Sequence, residues 1–432
     1  LSNGATLCGF TVSNGWTDTT WGSGDGAGAG IKCQSVSAVV SNCVIRDCWS
    51  RFRASAVQNG TVVNCVIFGN ETYHGTCYGC SLYNCLLYGN FANAGGGTAR
   101  GQTYNCTIVG NYARSHAGGC DEDTVRNSIV YHNEVGTTPG TQNWRASSLE
   151  YCCTTPVPAG AGNIGRLPMV ATYANPHLLA GSPCVDAGSA AYPWNDGDYD
   201  GEPRINGTID IGCDEVWPAT YAIPPRVDIR ASATLCVKGL DVDFDALIDG
   251  AVSDYGWTSD DGASESRARV FRHAFAEAGS HAVVLWVTNA AGVFCTTQML
   301  DVVESFDTYV DVGSAFSEYP YTNWNTAATT IQDGIDACIP GGTVWVADGV
   351  YDTGGRMAGA SSTNRVVIDR PVIVRSVHGP AHAVIVGQGP NNDNAVRGVW
   401  IGSGGMLCGF TVTNGHTMAH LDGQDLQKES GA

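Results

Sequence analysis

Lysine is almost absent from this chain of 432 residues, which contains only Lys32, Lys238 and Lys428. Acidic residues number 41 against 22 basic ones, so the formal net charge is -19. Such a chain repels phosphate groups, so the composition excludes a basic nucleic-acid-binding face and disfavours contact with an anionic membrane. The acidity either confers solubility or serves to bind cations.

Long hydrophobic runs are also missing. No apolar stretch approaches the ~20 residues that a membrane-spanning helix needs, and the chain opens at Leu1 with neither an initiator Met nor a signal peptide. Short apolar runs among 56 glycines are typical of an all-β protein, and 18 cysteines indicate an oxidising environment. We therefore expect an extracellular or cell-surface location, with any secretion or anchoring signal outside this segment.

One phrase occurs at both ends of the chain. Residues 7–17 read LCGFTVSNGWT, and residues 407–417, which lie 400 positions later, read LCGFTVTNGHT. We interpret the chain as one period of a longer head-to-tail array. This interpretation predicts a filament or surface stalk, whose partner is a neighbouring copy or repeat, rather than a self-contained enzyme.

A second, shorter repeat fills the N-terminal third. Asn42, Asn64, Asn84, Asn105 and Asn127 follow one another at intervals of 22, 20, 21 and 22 residues. Periods of this length, with short β-branched runs between Gly and Asn turns, predict a solenoid of parallel strands whose coils stack ~4.8 Å apart. Strand alternation should direct two columns inward. The first column is Cys43, Cys65, Cys85 and Cys106, and the second is Ile45, Ile67, Leu87 and Ile108.

The remaining columns carry three further expectations. Asn tolerates left-handed backbone and can hydrogen-bond up a stack, which suits both the first Asn column and a second at Asn70, Asn90, Asn111 and Asn133. The stacked cysteines should be mostly buried thiols, with disulfides at irregular places such as Cys152, Cys153, Cys184 and Cys213. If the column Val44, Val66, Leu86 and Ile129 faces outward, it implies lateral packing against another chain.

The rungs resemble those of right-handed parallel β-helix proteins of the pectin-lyase-like type. The phrases AGSPCVDAG at 180–188, DYDGEPR at 198–204 and DIGCDE at 210–215 resemble the ending of bacterial surface proteins with a choice-of-anchor Q domain. The likeness covers residues 1–216 and again 305–417. It implies a secreted β-helix and little about chemistry.

The middle of the chain has a different texture. The phrases YGWTSDDG at 255–262, EAGSH at 277–281 and VTNAAG at 287–292 are similar to PKD-type immunoglobulin-like modules, which are β-sandwiches that serve widely as spacers. Cys236 and Cys295 lie near opposite ends of this module, and we expect a disulfide between them. The resulting domains are 1–217, the later part of a β-helix with its terminal cap; 218–304, the PKD-like sandwich; and 305–432, the cap and first rungs of the next β-helix.

The last of these domains begins a β-helix afresh. Residues 325–338 predict a short helix with Asn325 as its capping residue and with Ile331 and Ile335 on one face. Strands are predicted at 343–346, 366–368, 371–374 and 383–386. The β-helix is therefore split between the two chain ends, and each end lacks a neighbouring rung. A contact that completes one end with the other does not close on itself and gives a fibre.

Residues 195–202, NDGDYDGE, are the best candidate for a metal site. Asp196, Asp198 and Asp200 place carboxylates on alternate residues before a glycine, which resembles a calcium loop because Ca²⁺ prefers several oxygen ligands on a tight bend. The competing interpretation is a turn in which Asp198 or Asp200 pairs with Arg204. Calcium is the only cofactor that the sequence suggests.

No catalytic constellation stands out. Asp121, Glu122 and Asp123 form the one dense acidic group on the rungs, and we expect them to be solvated turn residues. Arg51, Arg53 and Arg100 lie in other turns, and His74, His116 and His132 are scattered without metal-ligand spacing. We therefore expect no enzyme. The alternative is a polysaccharide-binding adhesin, or a polysaccharide lyase or hydrolase acting along the β-helix groove.

Overall fold

The computed structural model describes residues 1–17, 27–136, 142–192, 197–358, 362–390 and 394–417. Regular structure in these residues is almost entirely β. Stacked parallel sheets form a β-helix at each end of the chain, and an immunoglobulin-like sandwich lies between them in sequence. The all-β prediction is confirmed.

The N-terminal β-helix has four parallel sheets; each of the first six coils contributes one strand to each sheet, and the last coil contributes one strand to sheet 1 and one to sheet 2. Sheet 1 comprises Thr6–Cys8, Val39–Ser41, Thr61–Val63, Ser81–Tyr83, Gln102–Tyr104, Thr124–Arg126 and Ser148–Glu150. Sheet 2 comprises Thr11–Ser13, Val44–Arg46, Val66–Phe68, Leu86–Tyr88, Thr107–Val109, Ile129–Tyr131 and Cys153–Thr154. Sheet 3 comprises Trp16–Thr17, Trp49–Arg53, Glu71–His74, Phe91–Ala94, Tyr112–His116 and Glu134–Val135. Sheet 4 comprises Ile31–Lys32, Val57–Gln58, Cys77–Tyr78, Thr98–Ala99, Cys120–Asp121 and Trp144–Arg145.

Both inward columns lie in the core, as predicted. The four column cysteines and the four aliphatic residues two positions later are 0–1% exposed. The thiol groups also form hydrogen bonds in the turn between sheets 1 and 2. The Sγ of Cys85 approaches the carbonyl of Tyr83 at 3.2 Å, and the backbone N–H of Cys85 donates to the Sγ of Cys106 at 3.4 Å. Ser128 takes the same place in the next coil, where its Oγ accepts from the N–H of Cys106.

Each of the two asparagine columns shows one of the two properties expected of asparagine. The first column has left-handed backbone, with φ between 47° and 51° at all five residues from Asn42 to Asn127. The second column is buried and forms a hydrogen-bonded ladder, in which each side-chain amide donates to the side-chain oxygen of the next asparagine at 2.9–3.1 Å. The ladder runs through Asn70, Asn90, Asn111, Asn133 and Asn143.

The outward face of sheet 2 is covered by the chain itself. We call residues 164–192 and 197–216 the cover segment, because Leu178, Ile211 and Cys213 pack in one buried cluster with Leu86 and Ile129 of sheet 2. The expectation of lateral packing against another chain is therefore wrong for the later coils of this column. The column does face outward, and the segment that buries it lies more than 30 residues further along the chain.

The sandwich consists of two sheets around an aromatic core. Trp257, Phe244 and Phe271 are buried between them, and the indole N–H of Trp257 donates to the carbonyl of Ala268 at 2.7 Å. One sheet comprises Arg226–Ala231, Val242–Asp249 and Val270–His273. The other comprises Leu235–Val237, Gly292–Val303, Gly279–Asn289, Asp254–Ser259 and Ser264–Ser266.

The predicted disulfide between Cys236 and Cys295 is wrong. Cys236 pairs with Val302 across parallel strands, seven residues beyond Cys295, which corresponds to roughly 23 Å along a strand. Cys236 faces the core while Cys295 is exposed. Cys152, Cys153, Cys184 and Cys213 are also buried free thiols in this structure, so the disulfides expected there are absent as well.

The C-terminal β-helix includes a helix at Ile331–Ala337, which follows its first strand, Asp307–Val310. Ile331 and Ile335 are buried, as predicted, but the N-cap is Thr330, whose side chain accepts from the N–H of Asp333. Asn325 lies instead in a 3₁₀ turn at Trp324–Thr326; a similar turn spans Thr220–Ala222.

Three sheets form this β-helix. The first comprises Asp307–Val310, Thr343–Val346, Ile373–Ser376 and Met406–Cys408. The second comprises Gly349–Tyr351, Ala383–Val386 and Thr411–Thr413. The third comprises Arg356–Ala358, Ser362–Ile368 and Val396–Ile401.

Candidate functional site

The first coil has an open edge. Strands Thr6–Cys8 and Thr11–Ser13 each pair on one side only within the described residues, with Val39–Ser41 and Val44–Arg46 respectively. An edge of this kind presents unpaired backbone N–H and C=O groups to any strand that can join it.

Core positions are left half-exposed at this edge. Leu7 stands over Val40 and Val12 over Ile45; both partners are 0% exposed, whereas Leu7 and Val12 are only partly buried. Phe10 is 59% exposed and Trp16 is 58% exposed, although Trp16 stacks on Trp49. The first coil thus has the sequence of an interior coil without the burial of one.

The last described coil has the opposite open edge. Met406–Cys408 and Thr411–Thr413 pair on one side only within the described residues, with Ile373–Ser376 and Ala383–Val386. Val412 stands over the fully buried Ile385 but is itself 46% exposed. This edge therefore has the same defect as the first.

The two copies of the repeated phrase adopt the same backbone. Both place strands at the same offsets, and both turn through a glycine at φ 77° or 80°, Gly9 and Gly409. Asn14 and Asn414 are left-handed at 57° and 53°. The same coil is therefore presented at both ends, with its free edge pointing backward along the stack at the N-terminus and forward at the C-terminus.

A cluster of acidic side chains lies where the cover segment ends. Asp198 is fully buried and caps a tight turn, since its Oδ1 accepts from the N–H groups of Gly201 and Glu202 at 3.1 and 2.9 Å. Its Oδ2 accepts from the N–H of Glu215 at 2.9 Å. Asp200 and Glu202 project from the same turn, and carboxylate oxygens of the three acids lie within 4.8 Å of one another.

Two of the three residues predicted to bind a metal ion lie among the described residues. The structure brings Asp198 and Asp200 together, whereas Asp196 lies outside the described residues. The competing pairing with Arg204 is not seen in the described part of the chain. The guanidinium of Arg204 is buried and donates instead to the carbonyls of Asp210 and Gly212.

Two further members of this cluster were missed in the sequence. His177 and Asp214 come from distant parts of the cover segment, and the Nδ1 of His177 lies 2.8 Å from Oδ1 of Asp214. The Nε2 of His177 lies 3.7 Å from Oδ2 of Asp200. His177 falls in an irregular stretch 23 residues before Asp200, so no periodic pattern connects the two.

Burial and mutual repulsion perturb the protonation of these groups. Burial, together with the adjacent Asp200 carboxylate, raises the pKa of Asp198 to about 8. Burial raises the pKa of Glu202 as well. Burial opposes a charge on His177, but the bond to Asp214 and the nearby charges of Asp200 and Asp198 outweigh it, so the pKa of His177 is raised. These shifts favour the protonated forms of Asp198, Glu202 and His177.

Asp121 is not the solvated turn residue that we expected. It lies at the end of sheet 4 with its side chain fully buried, because Arg145 binds both of its oxygens at 2.6 and 3.1 Å and the Nε2 of His74 lies 3.0 Å away. Burial opposes ionisation of Asp121, but these partners outweigh it and lower its pKa. Glu122 stays partly exposed and pairs with Arg100 at 2.8 Å. The group is an ion-pair network that joins sheets 3 and 4.

Asp123, two residues later, points into the coil. It is 3% exposed, and burial raises its pKa to about 7 although the N–H of Gly101 donates to it. His132 is half-buried against Tyr131 and Tyr173, and burial lowers its pKa. The expectation of solvated side chains is therefore wrong for both aspartates of this group, because ion pairs enclose Asp121 and Asp123 is buried in the coil.

Comparison with known proteins identifies one region of the chain. Residues 223–303 match the PKD domain family. No curated protein matches the chain. A solved structure described as that of carbohydrate-binding modules from the β-sandwich superfamily is similar at 22% identity and a TM-score of 0.19, over 22% of this chain; the chain spans 39% of that protein's length.

The described residues contain no helix that is long and apolar enough to span a membrane. The chain is therefore a β-rich protein with long parallel sheets and a PKD domain. The likeness of its coils to pectin-lyase-like and choice-of-anchor Q proteins stays a prediction.

Proposed function

We propose that the chain is a secreted structural repeat whose copies assemble end to end, as the last coil of one copy stacks on the first coil of the next. The observation that supports this most directly is the partial exposure of Leu7, Val12 and Val412 at positions whose interior counterparts are fully buried. Where such repeats follow one another in a longer chain, neighbouring repeats would complete the same edges.

The polarity of the two edges suits this arrangement. The four sheets that end in these open edges pair in parallel, and the last strand of one copy would lie parallel to the first strand of the next. In the register set by the repeated phrase, Leu407 would stand over Leu7, Val412 over Val12 and Cys408 over Cys8. Each core column would then continue across the junction with residues of matching size.

The contact is heterologous, because different surfaces of the two copies meet. Such an interface leaves a free edge of each kind after every addition, so it propagates into a fibre instead of closing into a dimer.

The PKD domain at 223–303 would act as a spacer, and domains of this type are typical of extracellular or surface proteins. We assign no catalytic role, since Asp121, the most enclosed acid on the coil face, is fully engaged by its own ion pairs.

Cross-linking of the purified full-length chain tests the register. Cys8 and Cys408 project outward from the two edge strands, and stacking in register would place their Cα atoms ~4.8 Å apart, which is within disulfide range. In a Cys295→Ser background, mild oxidation should give a ladder of cross-linked multimers on a non-reducing gel. Cys8→Ser and Cys408→Ser should each abolish the ladder.

Charge substitutions test the assembly itself. Val12→Lys and Val412→Lys place a cation in the proposed junction and should shift the chain from large assemblies to monomers in sedimentation velocity. Val293→Lys is the matched control, because Val293 lies near the start of the sandwich strand Gly292–Val303 and is 73% exposed. A chain that stays monomeric at all concentrations, or assemblies that both edge variants leave intact, would refute the proposal.

A further inference from the structure

The imidazole of His177 is held as a metal ligand usually is. Its Nδ1 faces the Oδ1 of Asp214 at 2.8 Å, and the opposite nitrogen, Nε2, points toward Asp200. Metal-binding histidines commonly donate their second ring N–H to a carboxylate, which fixes the ring orientation and increases the basicity of the free nitrogen. Asp214 is the carboxylate that orients the ring of His177, and Nε2 is the ring nitrogen left to bind a metal ion.

The distance between Nε2 of His177 and Oδ2 of Asp200 is suitable for two ligands of one metal ion. The Nε2 of His177 and Oδ2 of Asp200 are 3.7 Å apart, which is too far for a hydrogen bond. Two ligand atoms that each lie ~2.1 Å from a tetrahedral ion are separated by roughly 3.4 Å, so a modest closure would bring both to a shared cation.

A second observation points to a ligand independently. Asp214 is 2% exposed, and its Oδ2 is buried and accepts no hydrogen bond from any of the described residues. A buried oxygen without a donor is costly unless a cation or water satisfies it. Asp214 also belongs to the group of ligand atoms, with His177 and Asp200, that lie within 4.8 Å of one another.

We propose that His177 and Asp200, joined by Glu202 or Asp198 and oriented by Asp214, bind a divalent transition-metal ion such as Zn²⁺ or Mn²⁺. A nitrogen ligand beside carboxylates favours these ions over Ca²⁺, which prefers oxygen ligands alone. The site therefore differs from a calcium loop formed by residues 195–202 by themselves.

A metal ion at this site would lie close to the joint between the β-helix and the sandwich. Glu202 accepts a hydrogen bond from Thr220, and Leu178, next to His177, accepts one from Tyr221; both donors lie in the segment that leads into the sandwich. Two residues before His177, the amide of Asn175 donates to the carbonyls of Ile248 and Gly250 at 2.9 Å. An ion here would fasten the end of the β-helix to the first strands of the sandwich and so stiffen the joint between them.

Metal binding by the full-length chain tests this site directly. The protein is stripped with a chelator, in a background where the accessible Cys8, Cys295 and Cys408 are serine, and titrated with Zn²⁺, Mn²⁺ or Ca²⁺ alone in a calorimeter. We expect one Zn²⁺ or Mn²⁺ per chain and a rise in Tm with metal concentration. Asp200→Asn and His177→Gln should each weaken binding about 10-fold or more, and Asp214→Asn about 10–100-fold.

Asp301→Asn, on an exposed face of the sandwich, is the matched control and should bind as the parent does. Circular dichroism of each variant without metal separates loss of the site from loss of the fold, and the partly exposed Asp200 is the substitution least able to disturb packing. Absence of stoichiometric Zn²⁺ or Mn²⁺ binding, binding of Ca²⁺ alone, or binding that Asp200→Asn and His177→Gln leave unchanged would each overturn the proposal. None of these readouts depends on end-to-end assembly.

Discussion

Interior and terminal coils of the N-terminal β-helix follow the same sequence rules but differ in what covers them. Leu82 and Leu7 occupy the same column of sheet 1; Leu82 has a coil on both sides and is fully buried, whereas Leu7 has a coil on one side within the described residues. A solenoid unit cannot bury its apolar face alone, because each coil relies on its neighbours for half of its contacts. The difference therefore measures how much of the stability of a coil comes from the coil next to it.

The largest change in unfolding free energy is expected when leucine is truncated to alanine at position 82 and, separately, at position 7. Leu82→Ala removes a fully buried side chain between two coils and should cost about 2–5 kcal/mol of unfolding free energy. Leu7→Ala should cost no more than about half of that, because part of its surface is already solvated. Urea denaturation at a concentration where the chain is monomeric provides both values. Equal losses would show that the terminal coil is as well covered as the interior ones.

A somewhat smaller effect is expected from the asparagine ladder. Asn111→Ala removes the donor to the carbonyls of Leu87 and Val109 and the acceptor for the N–H of Asn90, so it should cost about 2–4 kcal/mol. Asn3→Ala, at the exposed first coil, should cost less than about 1 kcal/mol because water replaces its partners. Thermal melting of the two variants checks this, and an Asn111→Ala chain as stable as the parent would contradict the ladder's role.

The smallest effect should appear only as a function of pH. The folded pKa of Asp123, about 7, lies above its unfolded value. Ionisation of Asp123 therefore costs stability as pH rises from about 4 to about 7, and the whole cost remains above that range. Asp123→Asn should be more stable than the parent at pH 8, by up to about 3 kcal/mol, and about equal to it near pH 4.

Asp121→Asn is the control of opposite sign for this pH series. The pKa of Asp121 is lowered in the folded chain, so its stabilising contribution is present above its unfolded pKa and is lost as the pH falls. Its asparagine variant should therefore be less stable than the parent at pH 7. If both variants shifted Tm in the same direction at neutral pH, the assignment of one aspartate to the interior and the other to an ion-pair network would be wrong.

The regular part of this molecule was predictable because its information is local and repeated. The spacing from Asn42 to Asn127 was sufficient to place Cys85 and Leu87 in the core and to assign left-handed turns. In the same way, Ile331 and Ile335 identified the buried face of the capping helix. Each of these inferences needs only the period of a strand or helix and no knowledge of distant residues.

The irregular parts could not be predicted for the complementary reason. The cover over Leu86 comes from residues near Ile211, and His177 meets Asp200 and Asp214 only after the cover segment has folded back. The Cys236–Cys295 pairing failed because it used proximity to the ends of a module, whereas the distance is set by the register of two strands.

The cover segment also limits where a second molecule can attach. Any chain that approached sheet 2 from the side would meet Ser189 and Gly197, whose carbonyls accept hydrogen bonds from Asn127 and Asn84, and not an uncovered apolar column. To reach Ile129 it would first have to peel away Ile211 and Cys213. The cover segment therefore opposes lateral association through sheet 2. The open edges of the first and last described coils remain accessible to another copy.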